Sequence, residues 1–181
     1  MSTSRYRIGI MGATGYTGSE LVRILSHHPQ VELAYITSES RQGESFAQVH
    51  PAFQGIAEHT LISAESVLKH PEKHPVDLLF LALPHGVSMD YVKRLHAVDY
   101  QAKIVDFSGD FRLSSPEVYN QWYPKAHHYA EGFDQAVYGL PEYFRNTIRE
   151  AQLVANPGCF PTTPLLALAP LLNAHSDDQA P

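Results

Sequence analysis

Apolar runs and apolar stripes take turns along this chain. Residues 7–11 read as a short strand, and residues 16–28 set Leu21, Val22 and Leu25 on one helical face before Pro29 stops the helix. A second strand is expected at residues 31–37. After a polar loop and a short helix at residues 64–69, residues 76–82 are apolar almost throughout, as a strand buried on both faces near the middle of a sheet should be. A helix at 87–98 and a strand at 103–107 continue the alternation. Four strands separated by crossover helices predict an α/β fold with a doubly wound, Rossmann-type parallel sheet.

Residues 108–151 break that rhythm. They are expected to form loops and short helices rich in aromatics, among them Tyr119, Trp122, Tyr123, Tyr129, Phe133, Tyr138, Tyr143 and Phe144. Irregular segments of such length tend to be lids or binding loops. A short strand at 152–156 and an apolar helix at 161–173 follow, the helix opened by Pro161 and Pro164 within its first turn, and residues 175–181 form a polar tail.

Composition narrows the partners. A chain of 181 residues that is 44% hydrophobic has enough apolar surface for a core without disulfides or a structural metal. Its 13 Lys and Arg against 19 Asp and Glu give a net charge of −6, which argues against a phosphate-neutralising surface, so small molecules rather than nucleic acid are expected as partners. The apolar run at residues 78–84 is too short to cross a bilayer, and Arg5 and Arg7 precede only a brief apolar run, so no membrane role and a cytoplasmic location are expected. The single cysteine, Cys159, has no internal disulfide partner, which fits a reducing compartment.

Two turns carry the candidate chemistry. The first is Gly12-Ala-Thr14-Gly15-Tyr16-Thr17-Gly18, between the first strand and the first helix. There a dinucleotide fold needs glycine so that the backbone can approach a pyrophosphate and the helix can close on its strand, while the helix N-terminus offers free N–H groups. The spacing is a variant of the commoner G-x-G-x-x-G fingerprint. About 20 residues beyond Gly18, where an NAD fold places an acid for the ribose, stands Ser38, with Arg41 close by. A hydroxyl and a guanidinium suit a 2′-phosphate, so NADP is favoured. Glu39 is the competing feature: at the ribose it would select NAD. At the end of the central strand, Leu83-Pro84-His85-Gly86 turns at the carboxyl edge, where His85 either touches the cofactor or caps the next helix. The pairs His27-His28 and His127-His128 are read as surface residues and no metal is expected, because adjacent residues do not share a helix face.

The second turn is Asn156-Pro-Gly-Cys159-Phe-Pro-Thr162, again between strand and helix. A thiol at a helix N-terminus feels the positive end of the dipole, and the Pro-Gly bend projects it into the cleft, which points to a nucleophile rather than a core filler. Residues 154–162 with Ala167, Leu168 and Pro170 make this chain resemble the N-acetyl-gamma-glutamyl-phosphate reductases, NADP-dependent enzymes of arginine biosynthesis in the semialdehyde dehydrogenase superfamily. Supporting segments, in family order, are residues 12–18, 82–86, 106–112 and 138–142, and Thr163 stands where glycine or alanine is more usual.

The resemblance implies that Cys159 attacks an acyl phosphate, expels phosphate and forms a thioester that NADPH reduces to the aldehyde. It also implies that Ser108 and Arg112 hold the phosphate and that the full-length form is a homo-oligomer. It covers essentially the whole chain yet stops partway through the family's length. Residues 1–151 are then expected to form the NADP-binding domain. Residues 152–181 are expected to begin a catalytic and dimerisation domain whose histidine is missing, so the chain alone is expected not to turn over. Leu165, Leu166 and Leu168 are expected to lack packing partners. Related readings are a reductase of a carrier-linked lysine precursor and an aspartate-semialdehyde dehydrogenase. From another class comes a non-catalytic NADP-sensing module, although none of the ten tyrosines has the lysine four residues on that short-chain dehydrogenases use.

Overall fold

The computed structural model describes residues 5–177. Six parallel strands form one sheet in the order β2-β1-β3-β4-β6-β5. β1 (Tyr6–Met11) is flanked by β2 (Val31–Ile36) and β3 (Leu78–Leu81), with β4 (Lys103–Asp106) beyond β3. These match the four expected strands: β1 starts one residue earlier than expected, and the other three are trimmed where the ladder stops. Thr37, expected inside the second strand, instead makes an isolated bridge to Ile62.

Alternation along the strands divides the core between two faces. Ile8 and Ile10 pack with Val22 of α1 (Tyr16–Ser26), Leu33, Ile36 and Phe46 of the short α2 (Phe46–Val49). Met11, Leu79, Leu81 and Ile104 pack on the other face. Their partners there are Val67 of α3 (Ala64–Lys69) and Met89, Val92 and Leu95 of α4 (Ser88–His96). Truncating a fully buried leucine such as Leu79 to alanine is worth about 2–5 kcal/mol.

The irregular stretch holds more order than its pattern predicts. Besides α5 (Pro116–Trp122) and α6 (Glu131–Gln135) it contains an edge strand, β5 (Ala136–Tyr138), and the ten-residue α7 (Pro141–Glu150), kinked at Phe144. β5 is only three residues long and has no alternation to read. Its ladder partner β6 (Leu153–Ala155) comes later in the chain and inserts between β4 and β5. No residue of α7 is buried, so it carries no stripe packed on the core. The last helix, α8 (Cys159–Asp177), begins two residues earlier than the prolines suggest, and Pro164 and Pro170 lie inside it. Leu165, Leu166 and Leu168 on α8 are exposed. The polar tail lies partly outside the described residues. Among those residues no helix is long and apolar enough to cross a membrane.

Candidate active site

Strand order reverses direction at β1, with β2 on one side and β3 on the other, and the carboxyl ends of β1 and β3 open into a cleft of about 540 Å³. This is where open α/β sheets bind ligands. Each glycine of the first turn has its own reason to be there. Gly12 has φ +83°, and a Cβ on it would collide with the Ala82 carbonyl of the neighbouring strand end. Gly18 lies so close to the turn that its Cβ would stand 2.6 Å from the Ala13 Cα, so it sets how tightly α1 closes on β1. At Gly15, by contrast, a Cβ would meet only the Gly12 carbonyl at 3.8 Å. The protein leaves that side open, and Gly15 caps the N-terminus of α1, where unpaired N–H groups face the cleft. A pyrophosphate fits these constraints.

Around the turn, Thr14 Oγ1 and Ser38 Oγ lie 2.9 Å apart, and Thr37 accepts from the backbone of Gly12 and Ala13. The lining includes Gly12, Thr14, Tyr16, Thr17, Ser38 and Pro84. Glu39 and Ser40 also line it, and one carboxylate oxygen of Glu39 accepts from the first N–H of α3, Ala64, at 2.7 Å. Arg41 is outside the lining: its guanidinium lies 3.5 Å from Glu44, with both side chains largely exposed.

A second pocket, about 640 Å³, opens beside the first along the same edge, and Thr17 lines both. Its walls come from Phe107 and Arg112, from Gly139–Glu142, and from residues 156–159, which include Cys159, with Thr162 and Thr163. Cys159 is exposed, unpaired, and the first residue of α8. Thr162 N–H donates to the Gly158 carbonyl at 3.1 Å, and the Thr162 and Thr163 hydroxyls donate back to Gly158 and Cys159 carbonyls at 2.8 and 3.0 Å. The first helical N–H groups, on Cys159 and Phe160, have no intrahelical acceptor, and Pro161 has no N–H.

Arg112 is aimed by carbonyls rather than by a carboxylate. Nε donates to Asn156 O at 2.7 Å and Nη2 to Phe107 O at 2.6 Å. A Cβ on Gly158 would stand 3.1 Å from Nη1, so that glycine makes room for the guanidinium directly before Cys159. No salt bridge joins Arg112 to Asp106 or Asp110, because both acids are committed elsewhere. Asp106, fully buried at the end of β4, accepts from the Ser108 N–H at 3.0 Å and from its hydroxyl at 2.6 Å. Burial, with a smaller contribution from nearby Asp110, pushes the Asp106 carboxyl up to about 6 against the pull of those hydrogen bonds. Asp110, also fully buried, accepts from Gly86 and Met89 N–H at 2.7 and 2.9 Å and so caps α4.

Ser108 is fully buried, donating to Asp106 and accepting from Asp110 N–H at 3.1 Å. Its hydroxyl shapes the turn that carries Arg112 and does not line the pocket. His85 does not cap α4. Its Nδ1 accepts from Gly109 N–H at 2.6 Å, while Pro84 is the neighbour that lines the dinucleotide cleft. His27 and His28 are both exposed, as expected, whereas the second pair separates: His127 is buried against Phe111, Tyr119 and Phe133, and His128 bonds Asp90. Among the described residues no group of three or more His, Cys, Asp or Glu is arranged to hold a metal ion.

Sequence reasoning did not single out Asn156 and Glu142 as wall residues. The signal was the Tyr138-Gly-Leu-Pro-Glu142 segment, whose Gly139 N–H bonds the Ala155 carbonyl at 2.9 Å and so brings α7 to the cysteine turn.

Comparison with known proteins shows the family. Over 174 residues the chain is 46% identical to an N-acetyl-gamma-glutamyl-phosphate reductase of Magnetococcus marinus, covering 96% of this chain and 48% of that protein. It is 43% identical over 169 residues to one of Alkaliphilus metalliredigens, covering 93% and 47%. The chain thus spans about half the length of the curated relatives it matches. An aspartate semialdehyde dehydrogenase II from Vibrio cholerae shares the fold, with a TM-score of 0.64 at 18% identity over 94% of this chain and 47% of that one. Residues 7–151 match the family model described as semialdehyde dehydrogenase, NAD binding domain, and it is to this family that the chain belongs.

Proposed function

We propose that this chain supplies the dinucleotide site and the nucleophile for NADPH-dependent reduction of N-acetyl-L-glutamyl 5-phosphate to the 5-semialdehyde and phosphate, a step of arginine biosynthesis. One observation carries the reading: an exposed thiol at the start of α8 and the Nη1 edge of Arg112 share one pocket, which adjoins the dinucleotide cleft at Thr17. The names of the relatives support the choice of substrate.

In this reading the Cys159 sulfur attacks the acyl carbon, the C–O bond to phosphate breaks, and a thioester remains on the protein. The carbonyl oxygen gains negative charge during the attack, and the free N–H groups of Cys159 and Phe160 are the donors at hand. Arg112 receives the departing phosphate as a charge-assisted, forked partner, and Ser108 acts through the turn that holds it. A bound NADPH supplies the hydride that converts the thioester to aldehyde and returns the thiolate. Gly12, Thr14, Gly15, Tyr16, Thr17, Gly18, Ser38 and Pro84 would hold the dinucleotide, with Arg41 at its 2′-phosphate. Ion-pair energies favour that move. The exposed Arg41–Glu44 pair is worth less than about 1 kcal/mol, whereas a guanidinium–phosphate contact is worth about 1.5–3 kcal/mol.

The family match ends at residue 151, which supports 1–151 as the nucleotide unit and 152–181 as the start of a second, even though β6 lies in the sheet. We assign the cytoplasm, where a lone thiol stays reduced. The test is to mix protein and acyl phosphate without NADPH and record the intact mass. A thioester adduct on wild type, absent from Cys159→Ala, is expected. Reductase activity with no such adduct would overturn the reading.

A further inference from the structure

Two turns at the carboxyl edge hold each other by reciprocal hydrogen bonds. From the 83–89 turn, which contributes Leu83 and Pro84 to the dinucleotide cleft, His85 Nδ1 accepts from Gly109 N–H at 2.6 Å. From the 108–112 turn, the Asp110 carboxylate accepts from Gly86 and Met89 N–H, and Tyr119 adds its hydroxyl at 3.2 Å. The staple is shielded on one side. The Tyr123 ring packs edge-on against His85 at 5.5 Å and stacks on Tyr119 at 4.4 Å, and its hydroxyl fills the space beside Gly109. Lys125 bonds the Gly86 carbonyl from outside.

We infer that His85 and Asp110 are positioning residues, which fix the Arg112 turn against the dinucleotide turn and so keep the guanidinium aimed into the Cys159 pocket. The inference rests on the reading of Arg112 as the phosphate clamp. Three observations make the arrangement more than a helix cap. Asp110, not His85, accepts from the first turn of α4, through Met89 N–H. His85 is an exposed side chain, yet it accepts from a backbone N–H 24 residues away. And Gly109 lies three residues before Arg112, whose N–H donates to the Gly109 carbonyl at 3.4 Å, so a shift of Gly109 moves Arg112 directly. An imidazole that accepts at Nδ1 carries its proton on Nε2, which fixes the tautomer.

The sole cysteine reports on the clamp. Inorganic phosphate on Arg112 would shield Cys159 from iodoacetamide, and the phosphate concentration that halves the alkylation rate measures how well Arg112 is aimed. The measurement needs no turnover and uses this chain as it stands. In His85→Ala that concentration is expected to rise about tenfold, the equivalent of about 1.4 kcal/mol, while the thermal midpoint stays close to wild type because the side chain is exposed. In His85→Asn, whose side-chain oxygen can stand where Nδ1 was, it is expected to return to within about twofold of wild type. Asp110→Asn, with one acceptor in place of two, is expected to weaken protection and lower the thermal midpoint together. Equal phosphate protection in wild type and His85→Ala overturns the positioning role while leaving the clamp standing. A wild type that phosphate does not protect overturns the clamp reading, and this inference with it.

Discussion

In the proposed dinucleotide cleft the backbone would do the recognising, through three glycines within seven consecutive residues, and the neighbouring strand end dictates where a side chain is forbidden. The Cys159 pocket draws its wall from three separate stretches, around Arg112, Glu142 and Cys159, and side chains bonded to distant carbonyls hold those stretches together. A short contiguous turn fails in an all-or-none way when one atom is added. An assembled pocket loses function by degrees as its supports are removed. Changes on the two sides should therefore separate cofactor binding from acyl transfer, and the test with the largest effect is Cys159→Ala. It should lower acylation of the protein by the acyl phosphate by about 10⁴-fold or more, because a nucleophile has no partial substitute. NADPH affinity, followed by fluorescence titration, should stay at the wild-type value. A parallel loss of NADPH binding would show that the two pockets do not act as separate units.

Next in size is a contrast within the glycine turn. Gly12→Ala has to adopt φ +83° and overlap the Ala82 carbonyl, which together should lower stability by about 3–4 kcal/mol in urea unfolding. Gly15→Ala meets nothing closer than 3.8 Å, so it should fold with a loss of no more than about 1 kcal/mol, from its place at the helix cap. NADPH affinity should nonetheless drop about tenfold, since the added methyl occupies the side left for the pyrophosphate. Equal stability losses at the two positions would mean that the open side of Gly15 is not reserved for a ligand.

The same contrast explains what the sequence disclosed. The helix predicted at 64–69 forms at Ala64–Lys69, and the first four strands lie where their apolar runs fall, because periodicity and local turn chemistry are encoded within a few neighbouring residues. The glycine turn was legible for the same reason. Cys159 was legible as a thiol before a helix, although the helix starts on the cysteine itself. What surrounds it was not. Arg112 donates to Asn156, 44 residues away, and His85 accepts from Gly109, 24 away, and no local pattern announces either pairing. Ser108 looked available as a polar residue beside Arg112, and only three dimensions show its hydroxyl spent between Asp106 and Asp110. β5 escaped notice because three residues cannot display a period of two.

Buried charge on the Cys159 side gives a pH signature. Asp106 has its carboxyl raised to about 6 in the folded protein, against about 3.9 unfolded. Between those values the native state holds the proton more tightly, so this group's contribution to stability falls as pH rises through the window and is constant above it. The difference is about 3 kcal/mol. Asp106→Asn removes the titration. The stability of wild type relative to this variant should decline by about that amount from pH 3 to pH 7, as read from urea midpoints across the range. Parallel profiles for the two proteins would show that Asp106 does not carry this penalty.

The smallest effect lies at the cleft's outer end and bears on the side where the backbone rules. Among the proposed cofactor contacts Arg41 alone rests on side-chain charge, and it lies against Glu44 at 3.5 Å rather than on the cleft wall. Glu39 on that wall has one oxygen tied to Ala64 N–H, so it caps α3 whether or not a ribose is present. If Arg41 swings to a 2′-phosphate, it exchanges a weak solvated pair for a stronger one and offsets the nearby carboxylate. Arg41→Ala should then weaken NADPH about tenfold, the equivalent of about 1.4 kcal/mol, and leave NADH unchanged. Glu44→Ala, which frees the guanidinium, should strengthen NADPH by less than about 1 kcal/mol, the worth of the exposed pair it removes. Equal losses for NADPH and NADH in Arg41→Ala would mean that the guanidinium supports the loop and not the phosphate. The selectivity would then fall to Ser38 and Ser40, and the dinucleotide cleft would depend on short-range, backbone-anchored contacts along its whole length.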